Sequence, residues 1–204
     1  MSYRGKRAVD VAVAVPALIV TLPVTLAGAI AVRVTMGSPA FFRQERPGLH
    51  GRPFTMLKLR TMHAVDPGSG RIDDASRLTR VGRILRASSV DELPTLVNVI
   101  RGDMSLVGPR PLLMQYLGEY TPEQARRHNV RPGLTGLAQV SGRNAIGWSE
   151  RFTLDLEYVD HHDLRQDLRI LFLTLLRVLQ RRGITAEGEA TAPVYRAQSG
   201  PPQS

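Results

Sequence analysis

Between Lys6-Arg7 and Arg33 the chain is apolar for 24 residues, Val9 to Val32, interrupted only by Asp10, Thr21, Thr25, Pro16 and Pro23. As one straight helix this stretch would reach about 36 Å, enough to cross a hydrocarbon core of roughly 30 Å. The prolines argue for a bent form instead, because an interior proline removes a hydrogen bond and crowds the preceding turn. A break at Pro23 leaves arms of about 14 and 9 residues, each too short to span. Basic residues at both ends suit two ends on the same, cytoplasmic side. The expected element is therefore a re-entrant helix-break-helix over residues 1–35. A simple span is the competitor; a cleaved signal peptide is disfavoured by the length of the apolar run and its prolines.

After Met36 the pattern becomes polar and alternating. Ala40-Phe41-Phe42 and Phe54 to Leu59 read as two strands around the turn Pro47 to Gly51, a small β-hairpin. Lys58 and Arg60 are two apart and would share one strand face. His63 to Ser76 reads as a loop, Leu78 to Leu85 as a short helix bearing Arg80, Arg83 and Arg86. Helices follow from Leu112 to Tyr120 and Trp148 to Val159. The run Leu168 to Leu179, fringed by Arg165, Arg169 and Arg177, is a helix for the headgroup plane or for the core. Pro, Ser, Gln and Gly then predict a disordered tail over 191–204. The fold class expected is α+β and mostly helical, with one cytosolic domain over 36–190 after the membrane helix.

The chemistry concentrates between Arg86 and Pro111. Asp91 and Glu92 are consecutive carboxylates at the entrance of an apolar segment, Leu93 to Ile100, that reads as helix. A helix entrance attracts anions. Arg86 precedes the acids, and Arg110 follows them between Pro109 and Pro111, on backbone that the prolines restrain. The competing interpretation is local: Ser89 to Glu92 fits the S-x-x-E capping box, in which both acids only stabilise a first turn. Pro94 strains that interpretation, since proline prefers the first helical position.

Composition narrows the partners. The net charge is +9 over 204 residues, which suits nucleic acid, an anionic membrane or phosphorylated substrates. Aromatic content is 5 % and no nucleic-acid motif appears, so phosphate near lipid is favoured over nucleic acid. With no cysteine, neither a disulfide nor a thiolate nucleophile is available. His161-His162 has no third ligand at metal-site spacing and reads as surface.

Four segments in one order carry a resemblance: KRAVD, FFRQERPGLHGRPFTMLKLRTM, SSVDELPTLVNVIRGDMSLVGPRPLL and VRPGLTGLAQVSGRN. Over about residues 4–190 the chain resembles the bacterial sugar transferases, monotopic phosphoglycosyl transferases that begin membrane glycan assembly. The resemblance implies a helix that enters and leaves one leaflet at a Ser-Pro break; here Leu22 precedes Pro23, and Thr21 is the nearest hydroxyl. It implies that Asp91 attacks the sugar-linked phosphate of a UDP-sugar, that UMP leaves, and that polyprenyl phosphate takes the sugar phosphate from the aspartate. Glu92, or Asp91 itself, would hold Mg²⁺, and Arg86 and Arg110 would clamp phosphoryl oxygens. Lys58 and Arg60 become pyrophosphate contacts, and Arg131, Gln139 and Arg143 become walls of the site. The compact length and the ending Ile184 to Thr191 favour an N-acetylated amino sugar over a hexose as donor. The location implied is the bacterial inner membrane, with the catalytic domain on its cytoplasmic face. A noncatalytic, membrane-anchored basic protein is the rival from another class.

Overall fold

A computed structural model describes residues 3, 5–69, 72–142, 146–180 and 195. The apolar stretch forms α1, Lys6–Met36, 31 residues with Pro16 and Pro23 inside it. The break expected at Pro23 does not interrupt the helix. Proline frees the carbonyl four residues back, Ile19 for Pro23, but the Thr21 hydroxyl donates elsewhere, to the Ala17 carbonyl at 2.7 Å. Thr25 does the same to Thr21, at 2.9 Å. By length and composition α1 is able to cross a membrane.

Both ends of α1 are packed and its middle is bare. Ala14 near one end, and Gly28 and Val32 near the other, are buried, while Ile19 and Val20 are 66 % and 76 % exposed. The charges of the first turns turn inward. Arg7 donates to the carbonyls of Val99 and, at 2.6 Å, Ile100. Asp10 accepts from the Ser105 hydroxyl at 3.0 Å and the Leu106 amide at 3.1 Å. Lys6 pairs with Asp167 at 2.6 Å. Toward the other end, a Cβ on Gly28 would sit 2.8 Å from Leu59 Cδ1, so any larger residue there would make the Leu59 side chain shift.

The hairpin is present as the alternation predicts: β1, Phe41–Pro47, pairs antiparallel with β2, Pro53–Leu59, from Phe41 opposite Leu59 to Pro47 opposite Pro53. Arg60 lies one residue beyond β2 and does not serve the strand face. Its guanidinium donates to the carbonyls of Met36, Gly37 (2.7 Å) and Ser38 (3.2 Å), which end α1. The expected loop contains a short α2, Asp74–Arg77, and then α3, Arg80–Ala87, capped by the Thr79 hydroxyl on the Gly82 amide.

A 3₁₀ turn, Val90–Thr95, leads into α4, Leu96–Arg101. α1 lies against α3, this turn and α4. After Gly102 comes β3, Ser105–Val107, parallel to β4, Gly133–Thr135. The expected helix after Pro111 is a 3₁₀ segment, Met114–Glu119. The Thr121-Pro122 start gives α5, Pro122–Ala125, with a full capping box. α6, Leu137–Ser141, follows β4, and α7, Trp148–His161, and α8, Leu164–Leu179, complete the described helices.

α8 has one face in the core and one face bare. Asp167 and Ile170 are buried, whereas Leu164, Leu168, Phe172 and Leu175 form an exposed stripe at helical spacing. Of the tail 191–204, only Tyr195 is among the described residues. It is buried against Tyr116, Trp148 and Phe152.

Candidate active site

Glu92 is the electrostatic centre of the molecule's acidic turn. Its Oε1 accepts from Lys58 Nζ and from Arg110 Nη2, each at 2.7 Å. Lys58 arrives from β2, and Arg110 from the loop after β3. The capping box drawn from the sequence does not form: Ser89 has a left-handed backbone, φ 57°, and its side chain caps nothing. Non-glycine residues seldom adopt that conformation. Here it turns the chain so that Val90–Thr95 winds as a 3₁₀ segment with both acids in its first turn. At three residues per turn, Asp91 and Glu92 point about 120° apart.

The two carboxylates therefore differ. Burial alone would raise Glu92, but Arg110 and Lys58 outweigh it and hold the acid far below the usual carboxylate range. Asp91 is only 8 % exposed and, among the described residues, has no salt-bridge partner. Burial, and then the charge of Glu92, push it up to about 6, with Lys58, Arg86 and Arg110 pulling the other way. Two acids with environments that separate their pKa values take different chemical roles.

Positive charge exceeds negative here. Arg86 lies within electrostatic reach of Asp91 and donates its Nε to the Thr61 hydroxyl at 3.0 Å. Burial, then the neighbouring Arg110, lower Arg46 to about 10. Beside Glu92 is a small hollow lined by Lys58, Thr95, Met104, Arg110, Pro111 and Leu134. Its two cations, Lys58 and Arg110, suit a phosphate group.

Behind it, Arg127 and Asp155 form a buried ion pair at 2.6 Å, and the Arg127 Nη2 donates to the Arg110 carbonyl at 2.8 Å. This pair positions the Arg110 loop. Nothing local in the sequence marks it: Arg126-Arg127 looks like solvated surface until α7 is folded against it.

Of the sequence candidates, the fold brings Asp91, Glu92, Lys58, Arg86 and Arg110 together. Arg60 is engaged at the end of α1. Arg131 donates to the Gly102 carbonyl at 2.8 Å, at the far end of α4. Gln139 is on α6, with both amide atoms buried and unpartnered among the described residues. Arg143 lies outside the described residues. His162 stacks on Tyr158, ring centroids 5.2 Å apart. No group of three or more His, Cys, Asp or Glu able to hold a metal occurs among the described residues. Asp91 and Glu92 are the carboxylates that would hold a magnesium ion, and of the two only Asp91 has no salt-bridge partner among the described residues.

Comparison with known proteins adds identity to this geometry. Residues 1–181 match the family described as bacterial sugar transferase. The chain is 51 % identical over 188 residues to the uncharacterized sugar transferase EpsL of Bacillus subtilis, covering 92 % of this chain and 93 % of the relative. It is 46 % identical over 187 residues to a UDP-glucose:undecaprenyl-phosphate glucose-1-phosphate transferase of Caulobacter vibrioides, covering 85 % and 69 %. It is 38 % identical over 197 residues to the exopolysaccharide production protein ExoY of Sinorhizobium fredii, covering 88 % and 87 %.

Proposed function

The chain belongs to the bacterial sugar transferase family and is a phosphoglycosyl transferase; from that premise we propose that it moves a hexose 1-phosphate from a UDP-hexose to undecaprenyl phosphate, at the cytoplasmic face of a bacterial inner membrane. The observation that carries the proposal is the asymmetry of the acid pair: Glu92 is held twice at 2.7 Å, while its neighbour Asp91 is buried without a direct ion partner. The UDP-glucose donor in the name of the Caulobacter vibrioides relative favours a hexose over the amino sugar expected from the chain's length and ending.

In this mechanism an Asp91 carboxylate oxygen attacks the phosphorus that bears the sugar. The bond from that phosphorus to the bridging oxygen breaks, UMP departs with the electron pair, and an aspartyl phosphosugar remains. An oxygen of the lipid phosphate then attacks the same phosphorus and displaces the Asp91 carboxylate. Splitting the exchange into two displacements lets two bulky substrates react in turn. With a pKa of about 6, Asp91 is mostly ionised at neutral pH. Lys58, Arg86 and Arg110 balance the charge that gathers on the phosphoryl oxygens. Glu92 orients Lys58 and Arg110. Asp91 and Glu92 would hold Mg²⁺, which screens the repulsion between diphosphate and carboxylate.

The test is UMP release in detergent with UDP-glucose, UDP-galactose or UDP-N-acetylglucosamine plus undecaprenyl phosphate. Mass spectrometry of the protein after donor alone is the second arm. A hexose donor should release UMP fastest and leave a hexose-phosphate adduct on Asp91. An unmodified Asp91 alongside full turnover would defeat the covalent mechanism, and a preference for the acetamido sugar would defeat the donor assignment.

A further inference from the structure

Lys58 sits on the edge of a sheet that has only two strands. Such a hairpin is marginal alone, and slipping it by one residue would turn Lys58 to the opposite face. Two side chains occupy the place of a third strand. The Asn98 carboxamide accepts from the Leu57 amide at 3.1 Å and donates to the Thr55 carbonyl at 2.8 Å. The Thr95 hydroxyl donates to the Leu57 carbonyl at 2.9 Å. Asn98 thus engages residues 55 and 57 of β2, the spacing by which one residue pairs with a parallel neighbouring strand. Thr95 and Asn98 are each 1 % exposed. A second donor bond from Asn98 to Asp103, at 3.1 Å, fixes the amide's orientation.

Both residues belong to the segment that also carries the acids. Thr95 closes the turn holding Asp91 and Glu92, and Asn98 lies one helical turn further on. β2 is therefore bolted to the acidic turn through its backbone, immediately before Lys58. We propose that Thr95 and Asn98 are positioning residues for phosphoryl transfer, fixing the register between β2 and the acidic turn so that the Lys58 ammonium lands on Glu92. The inference rests on the function proposed above for what Lys58 does, but not for where Lys58 is held.

The chain has two lysines, Lys6 and Lys58, which allows a direct test. In the full-length protein in detergent, acetylation by an N-hydroxysuccinimide ester is followed by mass spectrometry at each lysine. Lys6, in its own buried ion pair, is the internal reference. Thr95→Val preserves shape while removing the hydroxyl donor, and Asn98→Asp preserves shape while removing both carboxamide donor bonds and placing a carboxylate beside Asp103. Both should raise Lys58 labelling several-fold relative to Lys6 and lower kcat for UMP release by about tenfold to a hundredfold, the usual cost of an ångström-scale misplacement. Thr95→Ser keeps the hydroxyl and should restore both readouts. Unchanged Lys58 labelling in Thr95→Val, or an equal rise at both lysines, would overturn the proposal. If the unaltered protein released UMP from no donor, the proposed function would fall, and the labelling ratio would still decide the positioning role.

Discussion

Both lysines of the chain sit in ion pairs, 2.6 Å for the buried Lys6–Asp167 and 2.7 Å for the half-buried Lys58–Glu92, yet their surroundings are opposite. Around Lys6 the surplus is acidic and sealed. Asp167 also accepts from the hydroxyls of Tyr3 at 2.9 Å and Tyr158 at 2.7 Å, and Asp10 is occupied by Ser105 and Leu106. Burial and Asp167 raise both tyrosines, which therefore keep their protons and act only as donors. Around Lys58 the surplus is cationic and open to a pocket, and one carboxylate has no direct ion partner. An ion pair whose valences are all satisfied is a fastener. One that leaves charge of a single sign beside a cavity is built for a ligand of the other sign.

The comparison is broken hardest at Asp91. Asp91→Asn keeps the shape but removes the nucleophile, and UMP release should fall by about 10³-fold or more, with loss of the hexose-phosphate mass shift. Next come the lysines themselves. Lys58→Met should lower kcat by about a hundredfold with a modest change in Tm, because Glu92 keeps Arg110. Lys6→Met leaves Asp167 buried without its cation, so it should cost about 3–5 kcal/mol in thermal or denaturant unfolding. Any residual folded enzyme should turn over normally. If the two variants behaved alike, the contrast would be wrong.

The pH profile sharpens the same point. Asp91 must be ionised to attack and its pKa is raised to about 6, so kcat/KM should be flat at neutral pH and fall tenfold per unit below about 6. Glu92→Gln removes the charge that helps raise Asp91 and releases Lys58 and Arg110 toward it. The acid limb should then move to lower pH even as the maximal rate drops. The smallest effect is expected from Tyr3→Phe, which removes one hydrogen bond to Asp167. It should cost about 1 kcal/mol of stability and leave UMP release unchanged.

How much of this was legible depended on the range of the signal. Period-two alternation and a Pro-Gly turn gave the hairpin and put Lys58 on its face. The adjacent acids, with arginines at defined distances, gave the core of the site. What stayed hidden was the destination of the long cationic side chains. Arg60 and Lys58 share a periodicity, but Arg60 lies beyond the strand and meets the carbonyls that end α1. Arg131 likewise serves the end of α4. Exposed helix-end carbonyls are strong acceptors that only the tertiary fold brings near. β3 and β4, three residues each, are too short to show a period. The helix runs on through Pro23 because proline weakens a helix only locally, while α1 is held from outside at both ends.

That outside hold changes what counts as a separable part. The greasy helix is not a tether on which a self-sufficient catalyst hangs. Its Val32 completes the cluster of Leu59 and Leu85, its Ala14 completes that of Leu96 and Val99, and its Arg7 closes the helix that follows the acids. Deleting residues 1–35 to obtain a water-soluble version should therefore yield an aggregating, inactive remnant, since the cut would pass through the hydrophobic interior on which the acidic turn is laid.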